Sequence, residues 1–183
     1  WLTKEKAFVI GSSWPVDESF LIPFINSYNG KVIIAPHEVN EKHIQQIETQ
    51  LSSVYEKYTS VSKLIKPETK VLILDCIGVL ADAYKYGEIA YVGGAFGSGL
   101  HNILEPAAFG LPVIFGPKHK KFPEAQLFID KKVGFSISDA DQFEATYKKV
   151  QKNIYPIQQQ LEKLIQANLG ATDKIIDFLD SNN

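Results

Sequence analysis

The chain of 183 residues contains no methionine and a single cysteine, Cys76. One cysteine excludes an internal disulfide and fits a reducing compartment, and a chain of this length buries a core without disulfide or metal. A chain that opens on Trp1, with no methionine and no signal-like segment, is expected to be a piece of a longer protein. Long apolar runs are also missing. The stretch from Ala107 to Pro117 is broken by Gly110, Pro112 and Gly116, so nothing approaches a membrane span. There is no excess of positive charge: 19 basic residues stand against 21 acidic ones, a net charge of −2. That balance argues against general nucleic-acid binding, which needs a basic surface. Internal repeats and low-complexity segments are absent as well.

What is present is 45% hydrophobic and 22% charged, the profile of one soluble globular domain. "KAFVIGSS" reads as a strand running into a small-residue turn. The helical segment "VDESFLIPFINSY" follows, with Pro23 inside it to kink it or mark a late start. "GKVIIAPH" is a second strand. Asn40 is an N-cap for a helix over "EKHIQQIETQLSSVYEKY", in which Ile44, Ile47, Leu51 and Val54 share one face. "VSKLIK" reads as a short strand and "KVLILDC" as a buried one. Beyond them come a helix over "GVLADAYKYG", a strand at "EIAYVGG", a helix at "ILEPAAFG" and a strand at "LPVIFGP". A helix ending at Gly134, the strand "FSIS" and a helix opened by Asp139 and Asp141 complete the reading. Strands alternating with helices predict an α/β fold, a mostly parallel sheet with helices on both faces. Residues 139–183 form a mainly helical tail, which caps this domain or reaches towards another.

Three small-residue turns follow strands: Gly11-Ser12-Ser13, Gly93-Gly94 with Gly97-Ser98-Gly99, and Gly116-Pro117. In a parallel sheet all three project from the edge where ligands bind. Glycine lets backbone N–H groups approach an anion, and a helix N-terminus adds partial positive charge. A single such turn ends a strand and nothing more; three together, beside His101, Asn102 and Glu105, point to a binding site. The glycines of "GGAFGSG" lead to Leu100 and His101 rather than to a P-loop lysine, and they lie too late for a dinucleotide fingerprint. Glu105 stands in the first turn of a helix before Pro106, where it either complements the helix dipole or accepts two ribose hydroxyls. His101 and Glu105, four apart, also permit a metal pair on one helix face, but no third ligand is nearby and no metal or other cofactor is expected. His37 and His43, six apart, read as surface residues.

These residues resemble a family. "YVGGAFGSGLHNILEPAAFGLPVIFGP" with "KFPEA", preceded by "LILDCIGVLADAYKYGEIAYVGG" and "FVIGSS", is similar to the C-terminal domain of the 3-deoxy-D-manno-octulosonic acid (Kdo) transferases. The resemblance runs from about Ala7 to Ala140 and is most specific over residues 91–124. It implies a GT-B glycosyltransferase of two Rossmann-like domains, this chain being the donor-binding one. The implied donor is CMP-Kdo. The acceptor, a lipid A precursor, would be held by an N-terminal domain absent from this chain. That missing domain would also carry the catalytic base, leaving no catalytic residue here. Transfer would be inverting and metal-free, at the cytoplasmic face of the bacterial inner membrane, with membrane contact only in the full-length protein.

Carried over by position, Glu105 would hold the ribose, while Gly93, Gly94 and Asn102 would shape the phosphate and sugar side. Ile77, Gly78 and Val79 would meet the cytosine edge, and Ser12 and Ser13 would face the phosphate. His37 and His101 are further candidates. Two positions depart from the family pattern. Pro36-His37-Glu38 stands where the family often shows Pro-Arg-His, and Gly78-Val79-Leu80 where it shows Gly-Glu-Leu. A GT-B domain that takes a UDP-sugar, and a non-catalytic α/β module whose glycines serve packing, are the competing readings.

Overall fold

A computed structural model of the chain describes residues 1–2 and 5–168. Seven strands form one sheet in the order β3-β4-β2-β1-β5-β6-β7, and every neighbouring pair is parallel. The strands are β1 (Ala7–Ser13), β2 (Val32–Pro36), β3 (Tyr55–Lys57), β4 (Val71–Ile73), β5 (Gly87–Val92), β6 (Val113–Phe115) and β7 (Gly134–Ser136). The helices are α1 (Pro15–Ser27), α2 (Glu41–Gln50), α3 (Leu80–Ala83), α4 (Leu104–Ala108), α5 (Pro123–Asp130), α6 (Ala140–Lys152) and α7 (Ile154–Asn168).

The two-residue period of each strand divides the core. Phe8 and Ile10, Val32 and Ile34, Ile89 and Tyr91, and Ile114 point to one face, under apolar residues of α1, α2 and α6. Their neighbours point to the other. Ala7, Val9, Ile33 and Ala90 meet Ala83 and Tyr84 of the α3 segment. Val92, Val113 and Phe115 meet residues of α4, α5 and α7. Helices thus cover both faces, as an all-parallel sheet requires.

The tail is a cap as far as Asn168: Phe143, Tyr147 and Val150 of α6 pack on the first face, and Leu161 and Leu164 of α7 on the second. The rest of the expected tail, residues 169–183, lies outside the described residues.

Local sequence explains most boundaries. The side chain of Asn40 accepts a hydrogen bond from the His43 N–H at 3.0 Å and caps α2. Pro23 lies within α1 on its exposed side. There the carbonyl that loses its partner faces water, so the helix runs through. One expectation fails. The α2 helix ends at Gln50 rather than near Tyr58, and the strand falls at Tyr55–Lys57 instead of 61–66. The helical period continues through Leu51 and Val54, but Val54 is half exposed and its carbonyl accepts from the N–H groups of Lys70 and Val71. Pairing with β4 outweighs a propensity that no buried contact supports.

Candidate functional site

β1 and β5 are the two central strands from which the chain winds in opposite directions, so the crevice at their carboxyl ends is the topological switch point of the sheet. The β1–α1 turn and the loop after β5 touch there. Gly93 N–H donates to Gly11 O at 2.9 Å. A Cβ on Gly93 would lie 2.3 Å from Ser12 O and 2.8 Å from Asp17 Oδ2. Gly94 has φ +92°, and a Cβ there would meet Gly99 O at 2.3 Å. Both glycines are therefore required by close backbone approach. The third turn clamps this loop. Lys118 N–H donates to Ala95 O and its Nζ to Gly97 O, each at 2.9 Å.

Beneath the turn lie two buried carboxylates. Asp17 accepts from Trp14 N–H at 2.9 Å, Gly94 N–H at 3.1 Å and Tyr91 Oη at 2.6 Å. Burial, and then the Asp17 charge, push the Tyr91 hydroxyl far above its ordinary pKa. Ser13 turns inward, its hydroxyl donating to Glu18 Oε1 at 2.8 Å. Ser12 stays half-buried at the turn, with φ +53°. Glu18 Oε2 lies 2.8 Å from His43 Nε2, and His43 Nδ1 lies 2.9 Å from Glu38 O. His43 is thus buried, contrary to its reading as a surface residue. The Asn40 cap sets it in the first turn of α2, next to Ile44 on the core side. Asp17 and Glu18 are engaged inside and do not present free carboxylates to the crevice.

Above the turn three rings meet. Trp14 Nε1 donates to His101 Nε2 at 3.0 Å, with the two rings within 11° of coplanar. His37 stacks on both, its centroid 4.4 Å from each. Burial, and then the neighbouring His37, lower the His101 pKa against the opposing Asp17 charge. His101 precedes α4, which begins at Leu104. The expected helical pairing of His101 with Glu105 does not form. Glu105 Oε1 instead accepts from Asn102 Nδ2 at 3.0 Å, while Asn102 Oδ1 accepts from Leu104 N–H at 2.9 Å. Asn102 thereby caps the start of α4 and steadies an exposed carboxylate. Among the described residues no three His, Cys, Asp or Glu side chains are grouped to hold a metal ion.

The turn after β4 lies open. Ile77 is 87% exposed, and Gly78 has φ +93° with nothing within 4 Å of where a Cβ would stand. Val79 is half-buried and leads into α3. Tyr84 is buried behind the β1 turn. Its hydroxyl abuts Gly11, beside Leu80, and its pKa is raised by burial and then by the Glu105 charge. Asp75 accepts from Thr59 N–H at 2.9 Å and from the Thr59 hydroxyl. Ser12 and Ser13 end β1, and His37, Ile77 to Val79, Gly93, Gly94, His101, Asn102 and Glu105 follow β2, β4 or β5, so all share the carboxyl edge. Sequence reasoning missed Trp14 and Tyr84. Trp14 carried a usable signal, because it follows β1 directly, as His37 follows β2.

No protein-family model matches the chain. A 3-deoxy-D-manno-octulosonic acid transferase of Aquifex aeolicus (strain VF5) is 40% identical over 74 residues, 39% of this chain and 21% of that protein. The enzyme of the same name from Chlamydia muridarum (strain MoPn / Nigg) is 29% identical over 149 residues, 77% of this chain and 34% of that protein. The chain therefore spans about a fifth to a third of the length of these curated relatives. A crystal structure described as the C-terminal CMP-Kdo binding domain of WaaA from Acinetobacter baumannii superposes with a TM-score of 0.76, covering 90% of this chain and 91% of that one at 24% identity. The chain is thus related in sequence to proteins named 3-deoxy-D-manno-octulosonic acid transferases, and it shares the Rossmann-like fold of that solved domain.

Proposed function

We propose that this chain is the donor-binding domain of a glycosyltransferase that moves Kdo from CMP-Kdo to a lipid A precursor in lipopolysaccharide synthesis. The observation that carries the reading is Glu105. It is an exposed carboxylate held by Asn102 at the start of α4, beside the switch point and on the same sheet edge as the open turn at Ile77–Val79. A carboxylate so placed accepts both hydroxyls of a ribose, and the turn offers its backbone to a base. Gly93, Gly94 and Asn102 shape the phosphate and sugar side. With the Ser13 hydroxyl committed to Glu18, the β1 turn contributes its backbone and Ser12.

The crevice is open to solvent, which suits one wall of a cleft between two domains. The acceptor and the general base then come from an N-terminal domain that closes over the donor. Asp17 and Glu18, both buried and hydrogen-bonded, do not replace that base. Membrane contact, at the cytoplasmic face of the inner membrane, belongs to the full-length protein. Among the described residues no helix is long and apolar enough to cross a membrane.

Calorimetry with CMP and UMP tests the donor. CMP is expected to bind more tightly. Preference for UMP favours a UDP-sugar donor, and no binding of either favours a module whose glycines serve packing alone. Transfer from CMP-Kdo is expected with the full-length protein and not with this chain by itself. Turnover by the chain alone overturns the two-domain mechanism.

A further inference from the structure

The chain contains no arginine, and the loops that follow β1, β2, β4 and β5 contain no lysine. Lys63 and Lys66, in the loop after β3, stand at the far edge of the sheet. The turn after β6 is different. It carries Lys118, Lys120 and Lys121, and it lies next to the glycine loop because β6 pairs with β5. The two segments meet at three points. A Cβ on Gly116 would lie 2.6 Å from the Phe96 ring. Lys118 donates through its N–H to Ala95 O and through its Nζ to Gly97 O. The Phe122 ring lies 3.4 Å from where a Cβ of Gly99 would stand. The turn is thus held against the glycine loop, and the Lys118 ammonium with it. An ammonium has three donors, and Gly97 O takes one of them. Lys118, Lys120 and Lys121 are exposed, and none of the ion pairs among the described residues includes them. His119 turns inward instead, its ring 5.4 Å from that of Phe115, and burial followed by the Lys120 charge lowers its pKa. The nearest carboxylate along the chain is Glu124, which complements the dipole in the first turn of α5.

We propose that Lys118 binds the carboxylate of an acidic donor sugar, with Lys120 and Lys121 adding positive potential from the same turn. The inference rests on the donor-binding reading given above. In a nucleotide-activated ulosonic acid such as CMP-Kdo, one anomeric carbon carries both the carboxylate and the phosphate ester. A phosphate at Gly93 and Gly94 therefore brings the carboxylate to the part of the crevice beside the glycine loop. The phosphate meets backbone N–H groups there, but that loop has no lysine or arginine for the second negative charge. Lys118 supplies the cation from the neighbouring turn, held in reach by Gly97 O. A charge-assisted hydrogen bond to the carboxylate favours an acidic sugar over a neutral one, so the turn after β6 acts as a specificity element.

Calorimetry on the 183-residue chain compares CMP-Kdo with the methyl ester of CMP, which has the same phosphodiester but no sugar acid. Lys118→Gln keeps a donor for Gly97 O and removes the charge. It is expected to weaken CMP-Kdo about tenfold and to leave the methyl ester unchanged. Lys118→Arg keeps the charge and is expected to stay within about threefold of the parent for both ligands. Lys118 is exposed, so both variants are expected to melt close to the parent. Equal weakening of CMP-Kdo and the methyl ester in Lys118→Gln would make Lys118 a clamp for the glycine loop alone and overturn the proposal. Unchanged binding of CMP-Kdo by Lys118→Gln overturns it too. Both results leave the donor reading standing. Failure of the parent chain to bind either ligand overturns the donor reading and this inference with it.

Discussion

The turn after β1 and the turn after β4 stand on the same edge of the same sheet and are built in opposite ways. In the first, the buried polar side chains are all used. Ser13, Asp17 and Glu18 are buried and hydrogen-bonded, and Gly93 presses against Ser12, Ser13 and Asp17 too closely for any side chain. In the second, Ile77 projects into solvent and Gly78 has open space around it. A glycine at a strand end can therefore mean two things. Gly93 is required by contact within the protein. Gly78 is required only by its left-handed backbone, and it leaves room that the protein itself does not fill. The packed turn supplies a rigid floor, and the open turn is where a ligand finds space.

Substitutions separate the two regions. The largest effect is expected at Gly93→Ala, whose Cβ would meet backbone atoms of the β1 turn that cannot move aside. A loss of about 3 kcal/mol is expected, lowering the melting temperature by roughly 6–12 °C. Asp17→Asn comes next. The amide cannot accept from all three donors, so a loss of about 2–3 kcal/mol is expected in denaturant unfolding. Glu105→Gln is expected to leave the melting temperature of the free chain within the range of a surface change, about 0.5 kcal/mol, and to weaken CMP about tenfold. A loss of stability with unchanged CMP affinity would make Glu105 a helix-start residue only. Gly78→Ala is expected to cost about 1 kcal/mol for its positive φ in the same melts, with no clash added. A cost as large as that of Gly93→Ala would erase the contrast between the turns.

The same contrast governs what the sequence discloses. The parallel sheet is legible because buried strands and capped helices alternate, and Asn40 marks the start of α2 at the observed residue. The strand at Tyr55–Lys57 is not legible. Three residues at a sheet edge, none fully buried, carry too little pattern to interrupt a helical period that runs up to them. Residues that follow strands can be assigned to the ligand edge from order alone, which brings out Ser12, Gly93 and Glu105. The ring cluster of Trp14, His37 and His101 cannot be read that way, because it depends on which strands lie side by side, and β1 and β5 meet across a long stretch of chain. His43 shows the reverse case. Its place just after an N-cap is visible in the sequence, but its burial depends on Glu18 arriving from another helix.

The central claim is that one nucleotide spans both turns, and a structure of the chain with CMP bound tests it most directly. Both ribose hydroxyls are expected within hydrogen-bond distance of Glu105, about 2.6–3.2 Å, with the base at Ile77–Val79 and the phosphate at Gly93, Gly94 and the β1 turn. CMP seated instead in the cleft of about 520 Å³ between α4 and α7, lined by Phe109, Tyr155 and Glu162, would contradict it.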